Sequence, residues 1–200
     1  MMRAMEQVIR LAALTAAVWT LVGPMLTESP VAHRWRAPAQ SLAPYVPSPP
    51  EVVDRMLALA AVTKDDVVYD LGCGDGRIPI AAAKTYGARA VGLDIDPKRI
   101  EESRANAKAA GVEHLVAFRV EDVLAADVSP ATVVTLYLLS SSNAKLRPIL
   151  TRQLRPGARI VSHAFSMGPE WPADTVEKAT TSFGDEITLY LWRADGKVRP

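Results

Sequence analysis

The stretch Asp70-Leu71-Gly72-Cys73-Gly74-Asp75-Gly76-Arg77 follows directly on the apolar run Val67-Val68-Tyr69, and its reading decides the fold. A short apolar run that ends in glycines is the pattern of a strand buried on both faces of a parallel sheet and turning tightly at its C-terminal end. In an open α/β sheet that end is where ligands bind. The spacing is G-x-G-x-G. A dinucleotide loop needs its third glycine at the position held by Arg77, and a phosphate loop needs a Gly-Lys-Ser/Thr that does not follow. Three glycines let a ligand approach the backbone closely, while Asp70 and Asp75 make the loop acidic and select a cationic ligand over a pyrophosphate.

On either side of this loop the chain alternates helix and strand. Ser48-Pro49-Pro50-Glu51 reads as a capping box with proline in the first turn, and Val52, Val53, Met56, Leu57 and Leu59 follow at helical spacing, so a helix is expected over 49–60. Ile78 to Tyr86 is an alanine-rich helix, residues 88–94 a strand, and Asp96-Pro97 a helix start with Asp96 as cap; Gly111 closes that helix in the left-handed conformation. Strands are expected at 115–119, 132–139 and 158–165. A helix is expected within 142–154, which Pro148 either kinks or starts. Residues 175–181 and 186–193 read as an antiparallel pair around Phe183-Gly184-Asp185. The expected fold class is α/β: a Rossmann-like, doubly wound, mostly parallel sheet with an antiparallel C-terminal strand pair and right-handed crossovers.

Asp94 ends the second strand, where a carboxylate accepts both hydroxyls of a ribose, and Asp122 follows the third, placed for the amino group of an adenine. With DLGCGDG, GLDID and EDV in this order, the domain resembles the class I S-adenosylmethionine-dependent methyltransferases. The resemblance implies that Gly72, Cys73, Gly74 and Gly76 lie along the methionine part of the donor, Asp70 at its ammonium group, Asp94 and Ile95 at the ribose, and Asp122 and Val123 at the adenine. Cys73 stands where that motif accepts any small residue. A narrower resemblance rests on Tyr45-Val46-Pro47-Ser48-Pro49, DLGCGDGRI, TVVTLYLL and RIVSHAF. It is to the group that contains archaeal broad-specificity protein-lysine methyltransferases and the mitochondrial enzymes that methylate lysine in the ATP synthase c subunit and in the adenine nucleotide translocase, and to its bacterial relatives. The segment after the fourth strand, Leu138 to Asn143, lacks the Asn/Asp-Pro-Pro-Tyr/Phe signature of many amino-group methyltransferases, which disfavours adenine or glutamine amides as acceptors.

The expected activity is thus protein-lysine N-methylation by in-line displacement. Methylation of a small or lipid-like acceptor, and non-catalytic cofactor binding, are the competing readings. An acceptor pocket is expected between Tyr45–Ser48 and the residues after the fourth strand, with Pro47, Ser48, Leu138 and Asn143 lining it. Tyr45 or Tyr137 is a candidate to face the cationic acceptor through its ring, or else a staple and a core residue. His163 is a candidate general base or a structural histidine. Trp171 either covers the pocket or packs in the core. One cysteine and three scattered histidines in 200 residues offer no disulfide and no metal site.

Charge is distributed unevenly. Of 45 charged residues only six precede residue 51, and seven of the 15 prolines do. The net charge of +1 gives no reason to expect a nucleic-acid partner. Residues 11–27 carry no charge and follow Arg3 and Arg10, the layout of a signal peptide or signal anchor, without a good cleavage site. The alternative is an apolar helix on the domain or in a membrane interface. The organisation expected is therefore an apolar segment at 1–27, a proline-rich tether at 28–44 and a methyltransferase domain at 45–200. The protein is expected to be membrane-associated through residues 11–27 with its domain facing the cytoplasm, or else secreted or periplasmic through a signal-like leader.

Overall fold

The computed structural model describes residues 41–200; the apolar segment and residues 28–40 of the tether lie outside the described residues. No helix among the described residues is long and apolar enough to cross a membrane. In chain order the elements are α1 (Pro50–Leu59), β1 (Val67–Leu71), α2 (Arg77–Tyr86), β2 (Arg89–Asp94), α3 (Pro97–Ala109), β3 (Val116–Val120), β4 (Val133–Leu136), α4 (Ser140–Gln153), β5 (Arg159–His163), β6 (Thr175–Thr180) and β7 (Glu186–Arg193). They build one sheet of seven strands in the order β3-β2-β1-β4-β5-β7-β6. The first five pair in parallel, while β7 runs antiparallel to β5 and to β6.

Both faces of this sheet are covered, which is why its central strands carry few polar residues. On one face Val68, Val133 and Val161 pack against Val52, Met56 and Leu57 of α1 and Ile78 and Ala82 of α2. On the other, Leu71, Leu136 and Ile160 meet Leu146 and Leu150 of α4, with Trp192. α3 lies beside α2 over β2 and β3. Its start is as expected: Asp96 accepts from the Lys98 backbone, Pro97 occupies the first turn, and Gly111 takes φ +71 beyond the C-terminus.

Three expectations about element ends are corrected. β4 stops at Leu136, so Tyr137 and Leu138 leave the sheet. α4 then begins at Ser140 and runs through Pro148 rather than starting there. Burial of Leu146 and Leu150 on either side of the proline offsets the cost of a proline inside a helix, about 3 kcal/mol for the lost hydrogen bond and the ring clash together. The capping box does not form. Pro49 is the cap residue and makes no side-chain bond, Ser48 Oγ lies 3.3 Å from His163 Nδ1, and the Glu51 carboxylate instead accepts from Ser182 N and Oγ.

At the N-terminal ends of the strands, Asp66 ties the sheet together. Its carboxylate accepts from Thr63 N, from Thr132 Oγ1 at 2.7 Å and from the Arg159 guanidinium, which also donates to the carbonyls of Ala60 and Ala61. Burial alone would raise the Asp66 carboxyl, but Thr132, Thr63 and Arg159 together hold it below the ordinary carboxylate range.

Candidate functional site

The opposite, C-terminal edge of the sheet is where the chain reverses direction, between β1 and β4, and a cavity of about 280 Å³ opens there. Its floor is the glycine loop. Gly72 and Cys73 both donate backbone N–H to Leu93 O, at 2.8 and 2.9 Å, which binds the loop to β2. Gly72 takes φ +86 and Gly74 φ +53, left-handed values that explain the glycines locally. A Cβ on Gly74 would also stand 2.5 Å from Cε2 of Tyr45.

The carboxylates around this floor are positioned by backbone. Asp94 accepts Gly74 N on one oxygen and Asp96 N on the other, both at 2.9 Å. Each oxygen keeps a lone pair, so the group can take one further hydrogen bond per oxygen, the demand of a ribose diol. Asp122 accepts Leu124 N at 2.9 Å, and Ile95 and Val123 supply apolar wall between the two acids. Asp70 is buried and accepts one bond, from Thr135 Oγ1 at 2.6 Å. Burial, with Asp94 and Asp75 nearby, pushes its carboxyl up to about 7, although Thr135 pulls the other way. A buried carboxyl with a single neutral donor is short of a cation, and an ammonium group arriving in the cavity supplies it. In all, six carboxylates and two guanidiniums line the cavity.

The residues before α1 form its roof. Leu42 and Ala43, assigned above to the tether, pack on the core beneath α4 and line the cavity with Tyr45, Pro47 and Ser48. Arg77 holds this roof down. Its guanidinium makes a forked pair with Asp75, at 2.9 and 2.6 Å, and donates to Ser48 O at 2.7 Å. Burial works to raise Asp75, and Arg77 more than offsets it, so the acid stays below its usual range. The Arg99 guanidinium lies 4.2 Å from the centre of the Tyr45 ring. Nothing in the sequence announced that contact. Arg77 had at least a signal, since it stands where a dinucleotide loop would have glycine.

The cavity collects most of the expected residues: Asp70, Gly72, Cys73, Gly74, Asp94, Ile95, Asp122 and Val123 on the donor side, and Tyr45, Pro47, Ser48, Tyr137 and Leu138 on the acceptor side. Four others do not line it: Gly76 and Asn143 are corrected, and His163 and Trp171 take their structural alternatives rather than a place in the site. Gly76 does not line it; its φ of +81 starts α2, and a Cβ there would meet Ser103 at 2.7 Å and Phe118 at 2.8 Å, so this glycine serves helix packing. His163 sits behind the lining, its ring stacked 4.0 Å from that of Tyr137, and burial lowers it to about 4. A ring that stays neutral at such pH cannot hold an acceptor's proton near neutrality. Asn143 is fully buried, donating to Phe165 O at 3.0 Å and bracing the segment after β5. Trp171 packs against Trp192 and accepts its indole N–H through the backbone carbonyl. Tyr45 keeps its place in the lining, but the cation over its ring is Arg99. Cys73 is buried, and burial pushes its thiol up, so it is inert filler. Among the described residues no cluster of His, Cys, Asp and Glu has the arrangement of a metal site.

Comparison with known proteins shows the family of the domain that carries this cavity. The family model described as the ANTKMT methyltransferase domain matches residues 70–175. A protein-lysine N-methyltransferase of Saccharolobus islandicus is 43% identical over 149 residues, covering 74% of this chain and 92% of the relative. A lysine N-methyltransferase of Xenopus laevis that acts on the c-ring protein of ATP synthase is 32% identical over 181 residues, covering 90% and 76%. Among solved structures, an RNA methyltransferase of Salinibacter ruber in complex with S-adenosyl-L-homocysteine is 54% identical, with a TM-score of 0.71 over 76% of this chain and 96% of that one. The acidic, glycine-floored cavity described above fits that nucleoside, which carries an amino-acid ammonium, a ribose and an adenine.

Proposed function

The chain belongs to the ANTKMT methyltransferase family and is an S-adenosylmethionine-dependent methyltransferase, and we propose that its acceptor is the side chain of lysine in a protein. The observation that carries the acceptor reading is the 43% identity with a protein-lysine N-methyltransferase across 92% of that relative's length. The relative solved with S-adenosyl-L-homocysteine bears the name of an RNA methyltransferase. One feature favours lysine over RNA: the segment after β4, Leu138 to Asn143, lacks the Asn/Asp-Pro-Pro-Tyr/Phe signature of many amino-group methyltransferases.

Bound S-adenosylmethionine supplies an electrophilic methyl group on its sulfonium. The protein's part is alignment in a site shielded from water. Gly72 and Gly74 admit the donor to the backbone, Asp70 holds its ammonium group, Asp94 its ribose, and Asp122 with Val123 its adenine. Tyr45, Pro47, Ser48 and Leu138 close over the reacting atoms, and Arg77 fixes Ser48 through its carbonyl. Lysine, with an ordinary pKa near 10.4, must lose a proton before its nitrogen can attack. A cationic donor alongside and poor solvation both lower that value. With His163 excluded, no side chain is needed to take the proton, and it leaves to water through the mouth of the cavity. The nitrogen gains a methyl group and the donor departs as S-adenosylhomocysteine.

The test is to incubate the purified protein with labelled S-adenosylmethionine and separate membrane-protein, soluble-protein and RNA fractions. N-methyl-lysine in digested protein is expected; label confined to RNA or to lipid extracts would refute the acceptor reading. We also propose that residues 11–27 associate the protein with a membrane, its domain facing the compartment that makes the donor. The support for this reading is the uncharged, apolar run of residues 11–27 behind Arg3 and Arg10. Protease treatment of intact spheroplasts should leave the domain uncut, and digestion there would refute this orientation.

A further inference from the structure

β7 lies antiparallel to β5 with Leu189 opposite His163, so its first residue, Glu186, stands beyond the C-terminal end of β5. The turn between β6 and β7 therefore projects past the same edge of the sheet on which the cavity opens. This turn is tightly built. Thr181 is buried and donates its N–H to Asp185 O at 2.8 Å, while its hydroxyl accepts Asp185 N at 3.0 Å. It is also pinned to the body, because the Glu51 carboxylate takes the N–H and the hydroxyl of Ser182, both at 3.0 Å. Glu51 is three residues from Ser48, which lines the cavity.

On this anchored tip Phe183 is 86% exposed. A lone exposed aromatic residue needs no explanation; its surroundings give this one meaning. Asp185 and Glu186 are exposed beside it, and no lysine or arginine occurs from Ala179 to Trp192. Across the edge, Arg77 is committed to Asp75 and Arg99 lies over Tyr45, so neither guanidinium is free to offset the acids of the tip. Val46, 54% exposed, adds a second apolar point on the roof. An apolar anchor in an acidic field complements an apolar segment that carries basic side chains.

We propose that Phe183, with Asp185 and Glu186 beside it, is the docking surface for the acceptor protein and takes an apolar, basic segment flanking the target lysine. The proposal rests on the lysine reading above and adds to it the chemistry of the acceptor. The family match ends at residue 175, short of this hairpin, so it assigns nothing to the tip.

The probes are peptides of one length bearing a single lysine flanked by leucine and arginine, by glycine and serine, or by leucine and glutamate, together with an RNA oligonucleotide. The full chain should methylate the leucine–arginine peptide with kcat/KM about tenfold above the glycine–serine peptide. Phe183→Ser should erase that advantage by raising KM at constant kcat, and Asp185→Asn with Glu186→Gln should abolish discrimination against glutamate. An unchanged KM in Phe183→Ser overturns the proposal. The same KM with a lowered melting temperature overturns it too, by showing that the chain's own residues cover the ring. Methylation of RNA and of no peptide by the unaltered protein refutes the lysine reading itself, before any variant is made.

Discussion

Asp66 and Asp70 are four residues apart, at the two ends of one strand, and their environments are opposite. Asp66 has a guanidinium, two threonine side chains and a backbone amide on its carboxylate. Asp70 has one threonine hydroxyl and two other acids for company. Burial acts on both, yet Asp66 stays below the ordinary carboxylate range and Asp70 rises to about 7. A satisfied buried charge holds a fold together, whereas an unsatisfied one waits for a ligand. The N-terminal edge of this sheet is a clamp, and the C-terminal edge is a site.

The contrast can be broken by substitution at either end. Asp66→Ala strands the partly buried Arg159 and should cost about 3–5 kcal/mol of stability, read by denaturant unfolding. S-adenosylhomocysteine binding by the folded fraction should stay unchanged. Asp94→Ala removes the acceptor for two backbone amides and a ribose, and should weaken S-adenosylhomocysteine binding by about 2–3 kcal/mol in calorimetry, with a smaller loss of stability. Undiminished binding would contradict the ribose assignment.

The pH dependences at the two ends should have opposite signs. For Asp70 the folded value is raised, so stability falls as pH climbs from about 4 to about 7 and is level above that. Asp70→Asn should remove this slope and gain stability at pH 8, by at most about 4 kcal/mol. Its affinity for S-adenosylhomocysteine should fall and lose its pH dependence, whereas the unaltered protein should bind more tightly as pH rises towards 7, by up to about tenfold per unit. Asp66 is lowered, so its contribution is present above the unfolded carboxyl value and lost on acidification below it. At His163 the lowered value gives stability that is present above about 6.5 and lost as pH falls through 4, while the effect on catalysis should be the smallest of these. His163→Asn should change kcat less than tenfold, against the hundredfold or more expected of a general base.

What was legible before folding, and what was not, divides along sequence distance. The glycine turn of Gly72 and Gly74, the Asp96-Pro97 helix start and the Gly111 terminus came out as expected, because each is decided by torsion angles and hydrogen bonds among residues a few positions apart. The Ser48–Glu51 capping box failed because distant partners competed for both side chains, His163 for Ser48 and Ser182 for Glu51. β4 was expected to reach residue 139 because TVVTLYLL, apart from Thr132 and Thr135, is apolar. It stops at Leu136, and Leu138 instead turns in over the glycine loop, its side chain 3.0 Å from where a Gly72 Cβ would stand. Hydrophobicity could not separate a strand residue from a lid residue, since both are buried.

The amino-acid sequence by itself determined a strand that ends in three glycines and an acid, with further acids after the next two strands. That arrangement was enough to specify a nucleoside-binding α/β domain with a preference for a cationic ligand, because backbone freedom and charge are properties of the residues themselves. Only the tertiary structure decided which glycine faces the ligand and which serves packing, and that His163 and Asn143 stand behind the site. It alone brought Arg77, Arg99 and Glu51 across from separate elements to hold the roof and the β6–β7 turn. Such contacts depend on the order of strands in the sheet and on which faces the helices cover, and both are settled by packing over the whole domain.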